Sequence, residues 1–242
     1  MATMFLVAFR LCAQPSASGC GILNECDAAE APAVPVRSDA YVRARPAPLA
    51  VPELSSLRLG VGLHNYGVGA WLDGRGGLGW TELVLGARVR WSIDSTFAVG
   101  IAPRLRSQWF SGFTARHTAT WDVHAVAEFG ALHMGIALRD IPLHTPTSRP
   151  YLHAGAMLNV AYARVAIDLG MNASDELWIG LTTEILITAS MRLAASVRTL
   201  PTSMHAALQL PIDTTQSIAV SCRYQQDLGI TPELVWIWCF GA

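Results

Sequence analysis

The chain contains no lysine, and all 17 of its basic residues are arginine. With a formal net charge of −1, it offers no polybasic patch for a membrane surface and no strong attraction to nucleic acid. Charge of either sign is scarce, at 14% of residues, against about 25% in an ordinary soluble domain. Long apolar runs are missing too. The longest uncharged runs, 59–72, 150–163 and 199–212, stop at 14 residues, whereas a transmembrane helix needs about 18 or more. The five cysteines (Cys12, Cys20, Cys26, Cys222 and Cys239) include no CxxC pair, and no histidine clusters near them. A zinc site is therefore not expected. GxSxG, HExxH, P-loop and acidic calcium-loop signatures are also absent.

The 52% of the chain that is apolar rules out disorder. A chain with so little charge and no spanning helix is either a transmembrane β-barrel or a soluble β-sandwich or barrel with an unusually apolar surface. At the N-terminus, Met4–Phe9 is a short apolar stretch, and Leu11, Cys12 and Ala13 before Gln14 resemble a small-residue cleavage site. Residues 1–13 thus have the outline of a signal peptide for export. Residues 14–54 are rich in Ala, Pro and Ser without periodicity, and read as a linker or as a plug for a lumen. Cys20 and Cys26 either close a small disulfide loop in an oxidising compartment or remain free thiols. Cys222 and Cys239 fall in strand patterns and read as small packing residues.

From about residue 55 to 242 the chain alternates with period 2, the mark of half-buried strands. In 187–198, Ile187, Ala189, Met191, Leu193, Ala195 and Val197 alternate with Thr188, Ser190, Arg192, Ala194, Ser196 and Arg198. In 216–225, Ile218, Val220, Cys222 and Tyr224 oppose Ser217, Ser221, Arg223 and Gln225. The same split recurs in 81–91, 95–106, 119–129, 131–139, 161–170, 176–186 and 203–211. Ten strand arginines share the polar parity: Arg58, Arg88, Arg90, Arg104, Arg106, Arg139, Arg164, Arg192, Arg198 and Arg223. Glu82, Asp122, Glu128, Asp168, Glu184 and Glu233 share it as well. A polar face that mixes Arg and single acids with Gly, Ala and Ser suits a confined lumen. The opposite face is nearly all aliphatic and aromatic, which suits lipid.

Connections near 92–94, 130, 160 and 187 read as short. Those near 73–79, 107–118, 140–149, 171–175 and 226–230 read as longer, and the two classes alternate. In an outer-membrane barrel the short turns are periplasmic. Taking 57–72 as one strand gives twelve strands, the other reading of this segment being a tight hairpin around Asn65 and Tyr66. Fourteen strands is the alternative, and both termini read as periplasmic. Trp80, Trp91, Trp109, Trp121 and Trp236 fall near strand ends, where an aromatic girdle belongs. His124, His133, His153 and His205 fall on the lumen parity, and no Ser–His pair is found on the lipid-facing parity. No enzyme, metal or cofactor is therefore expected.

The last third of the chain resembles a known family. Leu193–Thr199 (LAASVRT), Ile218–Gln225 (IAVSCRYQ) and Asp227–Phe240 (DLGITPELVWIWCF) are similar to the closing hairpins of PorV/PorQ-like outer-membrane proteins of the type IX secretion system. That family lies within the long-chain fatty acid transporter superfamily. Arg45–Ala50 (RPAPLA) is similar to its NPAGLA motif. The resemblance implies binding or passage of a hydrophobic or protein cargo, or a structural role, with membrane lipid and secretion-system or other membrane proteins as partners. The residues themselves leave a second possibility open, a small porin-like channel for anions. Its charged lumen network would be Arg88, Arg90, Arg104, Arg106, Arg139, Arg164, Arg192, Arg198, Arg223, Glu82, Glu128, Asp168 and Glu184. Salt bridges would either close this lumen or leave a narrow anion path through it. Either way, the expected location is the outer membrane of a Gram-negative-type bacterium.

Overall fold

The computed structural model describes residues 39–45, 55–63, 66–77, 79–143, 150–171, 177–188, 191–199, 202–225 and 229–239. The signal-peptide stretch, Cys12, Cys20 and Cys26, and the chain end at 240–242 lie outside them. Of the motif-like stretch 45–50, Arg45 alone lies within them.

Fourteen antiparallel strands close into one barrel, each paired with its neighbours in the sequence. They are β1 (Asp39–Arg45), β2 (Ser56–Leu63), β3 (Val68–Gly77), β4 (Trp80–Ser92), β5 (Phe97–Phe110), β6 (Arg116–Phe129) and β7 (Leu132–Pro142). The second half comprises β8 (Tyr151–Val160), β9 (Ala163–Met171), β10 (Leu177–Leu186), β11 (Arg192–Arg198), β12 (Ser203–Pro211), β13 (Gln216–Gln225) and β14 (Gly229–Cys239). β1 closes the ring against β14, in register from Asp39↔Cys239 to Ala44↔Leu234. Both ends of the described barrel therefore lie at one rim, here called the terminal rim.

The strand number is the stated alternative of fourteen, and two segments account for the difference. Residues 39–45, read as part of a linker, are strand β1, so the barrel begins before residue 55. Residues 57–72, read as one strand, are the hairpin β2–β3. The outward parity switches there, from Leu57, Leu59, Val61 and Leu63 to Val68, Ala70 and Leu72. At the turn Gly67 has φ +61°, and a Cβ on it would come 2.7 Å from the Arg90 carbonyl oxygen. Only glycine lets the turn lie this close to β4, whose Arg90 N–H donates to the Gly67 carbonyl at 2.8 Å.

The turns at 93–96, 130–131, 161–162, 187–191 and 212–215 all fall on the terminal rim. Three of them share one backbone design. Ile93, Ile187 and Ile212 donate N–H to the carbonyls of Phe97, Met191 and Gln216. Asp94 and Asp213 then accept the N–H groups of Thr96 and Phe97, and of Thr215 and Gln216. Hydrogen bonds from Thr215 and Gln216 hold the Asp213 carboxyl below its ordinary range. On the opposite rim the loops are shorter than the sequence pattern implied. β3 runs through 73–77, and β5 and β6 take in 107–110 and 116–118.

Burial runs opposite to that of a soluble protein. Leu85, Leu181 and Val220 on the outer face are 54%, 52% and 51% exposed, while inward Arg88, Asp122 and His124 are each 1% exposed. An aliphatic outer wall over a polar interior is the arrangement that lipid selects, since lipid offers no partner to polar groups. Closure removes every unpaired strand edge. Trp91 and Trp236 stand outward toward the terminal rim, and Trp109 outward at the opposite one. Trp236 stacks on Trp238 at 5.2 Å, and Phe97 packs edge-on against Phe129 at 5.9 Å. Trp121 lies on the outer parity beside a bulge, while Trp80 falls on the inner parity of β4, so not every strand-end tryptophan belongs to a girdle.

Candidate functional site

Period-2 alternation points one side chain in two into the barrel, and the inner set is rich in charge. Among the described side chains, fourteen arginines (Arg43, Arg45, Arg58, Arg75, Arg88, Arg90, Arg104, Arg106, Arg116, Arg139, Arg164, Arg192, Arg198 and Arg223) lie on the inner parity of their strands. Seven carboxylates share that parity: Asp73, Glu82, Asp122, Glu128, Asp168, Glu184 and Glu233. Asp140 is an eighth, brought in by a bulge. Among the described side chains the excess is six positive charges.

The carboxylates are shared rather than paired one to one. Glu184 takes Arg192 at 3.0 Å and Arg164 at 3.3 Å, joining β9, β10 and β11. Glu233 holds both Arg43, at 3.0 Å, and Arg45. Asp73 takes Arg58 at 2.6 Å and Arg75 at 3.3 Å, and Arg75 reaches on to Glu82 at 3.0 Å. Glu82 also accepts Gln108 at 2.7 Å and has Arg106 at 3.7 Å. A planar guanidinium with five donors can serve two carboxylates at once, which an ammonium point charge does poorly. The absence of lysine is thereby matched to the interior.

Arg104 binds Asp122 and, at 3.1 Å, Asp140. By the alternation of β7, Asp140 should face lipid. The register between β6 and β7 shifts between Trp121 and Val123, and Asp140 has φ 54°. The bulge turns its carboxylate inward and its N–H onto Asp122 at 2.9 Å. Asp tolerates this left-handed backbone better than most residues.

A second group lines β8 to β11. His153 lies 3.1 Å from Asp168 and its ring 4.9 Å from that of Trp178. The Arg198 guanidinium sits 4.0 Å from the ring centroid over that indole. Of the remaining expected network members, Arg88 and Arg139 are buried. Glu128 lies 4.0 Å from His133, and Arg90 donates to Ser92 Oγ at 2.6 Å. Arg223 faces inward opposite His205 in the β12–β13 register.

Arg58, Asp122 and Glu233 were on the polar parity but not in the sequence-derived network, and Arg43, Arg45, Asp73, Arg75, Arg116 and Asp140 were in neither. Arg43 and Arg45 fell in the apparent linker, Asp73 and Arg75 in an apparent loop. For the latter pair the alternation of Asp73, Gly74, Arg75 and Gly76 was the available signal. The Asp140 bulge left no period-2 signal. Among the described residues no group of three or more His, Cys, Asp or Glu is arranged to hold a metal.

No family model matches the chain, and no curated protein matches it. Solved structures do. The outer membrane protein Omp33 of Acinetobacter baumannii aligns over 85% of this chain and 99% of its own, with TM-score 0.58 at 7% identity. The CymD monoaromatic hydrocarbon channel aligns over 84% of this chain and 88% of its own, with TM-score 0.56 at 10% identity. A mutant of the Rh. blastica porin reaches TM-score 0.50 at 10% identity, over 85% of this chain and 99% of its own. At such identities the likeness is one of fold. The fold is that of the outer-membrane β-barrels of Gram-negative bacteria, and the apolar outer wall makes this a membrane-spanning barrel. The resemblance to PorV/PorQ-like proteins and fatty acid transporters gains no support beyond the shared barrel.

Proposed function

We propose that the chain is a narrow porin-like channel of the outer membrane that prefers small anions. The observation that carries this reading is the excess of six guanidiniums over carboxylates among the described side chains of the inner wall. A ring of fixed positive charge in a confined, low-dielectric space concentrates anions and repels cations. The shared pairs supply the mechanism. An arginine held between two carboxylates, such as Arg75 or Arg104, can release one of them to a passing anion while keeping the other. Each exchange replaces one charge-assisted hydrogen bond by another, so the barrier stays low. Short turns on the terminal rim support an orientation with both termini in the periplasm, reached by export through the signal-like residues 1–13. Cargo shuttling for a secretion system has no observation in its favour and is set aside.

Planar-bilayer recording tests the proposal. With a tenfold KCl gradient, purified protein should give discrete steps whose reversal potential has the sign of chloride preference. Absence of steps, or a reversal potential of cation sign, overturns it.

A further inference from the structure

The outer wall carries one described histidine, His117, and it is not isolated. Its Nδ1 lies 2.9 Å from Ser107 Oγ, the two residues standing directly opposite each other on β6 and β5. Both are on the lipid-facing parity. The Trp109 ring stands edge-on to the imidazole at 6.5 Å and 87°. Trp109 and the 79%-exposed Phe113 stand at the same end of the hairpin. Exposed aromatics of this kind sit at the boundary between headgroups and acyl chains, the depth at which the ester bonds of glycerolipids lie. The sequence pattern gave no such pair because 107–118 read as a loop, where parity has no meaning. The extension of β5 to Phe110 and the start of β6 at Arg116 bring the two residues into register.

We propose that Ser107 and His117 form a nucleophilic pair that cleaves acyl esters of membrane lipids at the outer surface of the barrel. The pair lies on the opposite side of the wall from the arginine network, and the inference is independent of the channel reading. His117 accepts the Ser107 proton as Oγ bonds to the ester carbonyl carbon. Collapse of the tetrahedral adduct breaks the bond to the glycerol oxygen, which takes the proton from His117. A fatty acyl ester of Ser107 and a lysolipid result. Water then adds to the acyl carbon while His117 takes its proton, and collapse releases the fatty acid and returns the proton to Oγ. Trp109 acts as a positioning residue by limiting rotation of the imidazole. One oxyanion donor is worth about 10²–10³ in rate, and a serine–histidine pair acting without one should turn over slowly.

The test uses the full chain in detergent micelles, with a long-chain alkyl fluorophosphonate and, separately, micelles of dioleoylphosphatidylethanolamine. The expected result is a covalent adduct on the peptide containing Ser107, together with slow release of oleic acid. Ser107→Ala should abolish both, and His117→Asn should slow labelling at least tenfold. Retained heat-modifiable gel mobility would show that both variants keep the barrel. No adduct on Ser107, equal labelling of His117→Asn, or an adduct without oleic acid release each overturns the proposal.

Discussion

Trp71 lies across Gly86 so closely that a Cβ there would come 1.9 Å from Trp71 Cζ2. Trp178 lies over Gly170 in the same way, with a Cβ distance of 2.5 Å. Two indoles that alternation sends inward are thus laid flat on the wall by glycines of neighbouring strands, rather than projecting across the lumen. Gly86→Ala should force the Trp71 ring off its seat and lower stability by about 1–3 kcal/mol, the usual cost of overpacking. Urea unfolding in detergent micelles measures it, and an unchanged midpoint would mean the ring has room to move. The ion pairs give a larger effect. Glu184 is 4% exposed and serves two arginines. Removing one partner of a buried pair costs about 3–5 kcal/mol because a charge is left uncompensated. Glu184→Ala should therefore destabilise more than Gly86→Ala in the same assay, and a loss under about 1 kcal/mol would mean that water already reaches Arg192.

At the scale of elements, strand interiors were legible and strand ends were not. In β4, β9 and β13 every charge lies on the inner parity that the sequence assigned, because lipid tolerates no exception in mid-strand. β1 was missed because Ala, Pro and Ser surround it and its outward residues Ala40, Val42 and Ala44 are small. The β2–β3 turn stood only as the second reading of 57–72, because glycines at 60, 62, 67 and 69 blur the parity switch between Leu63 and Val68. The Ser107–His117 pair and Asp73 were missed because strands run on into what read as loops. β1 also carries a consequence for folding. Without it, the edges of β2 and β14 would meet lipid with unpaired N–H and C=O groups, each costing several kcal/mol. Deleting residues 39–45 should abolish the compact, heat-modifiable form on gels. If the shortened chain still folds to that form, β2 and β14 can close the barrel without β1.

At the scale of the molecule, fold class and sidedness were readable from composition and charge parity alone. The interior pairings were not, because parity tells which residues share the lumen but not which neighbours meet across tilted strands. The sharing of Glu184, Glu233 and Arg104 depends on register and on one bulge, which tertiary closure sets. The central claim is that this wall separates lipid from an arginine-rich interior. Residues 220 and 221 test it most directly, since Val220 is 51% exposed outward and Ser221 is 7% exposed inward beside Glu233. Single cysteines at each position, with Cys12, Cys20, Cys26, Cys222 and Cys239 replaced, would be treated in lipid vesicles with a lipid-soluble maleimide and a charged, water-soluble one. Val220→Cys should react with the lipid-soluble reagent alone, and Ser221→Cys should be slow with that reagent. Protection of position 220 from the lipid-soluble reagent, or its fast reaction with the charged one, would contradict the assignment of this face to the membrane.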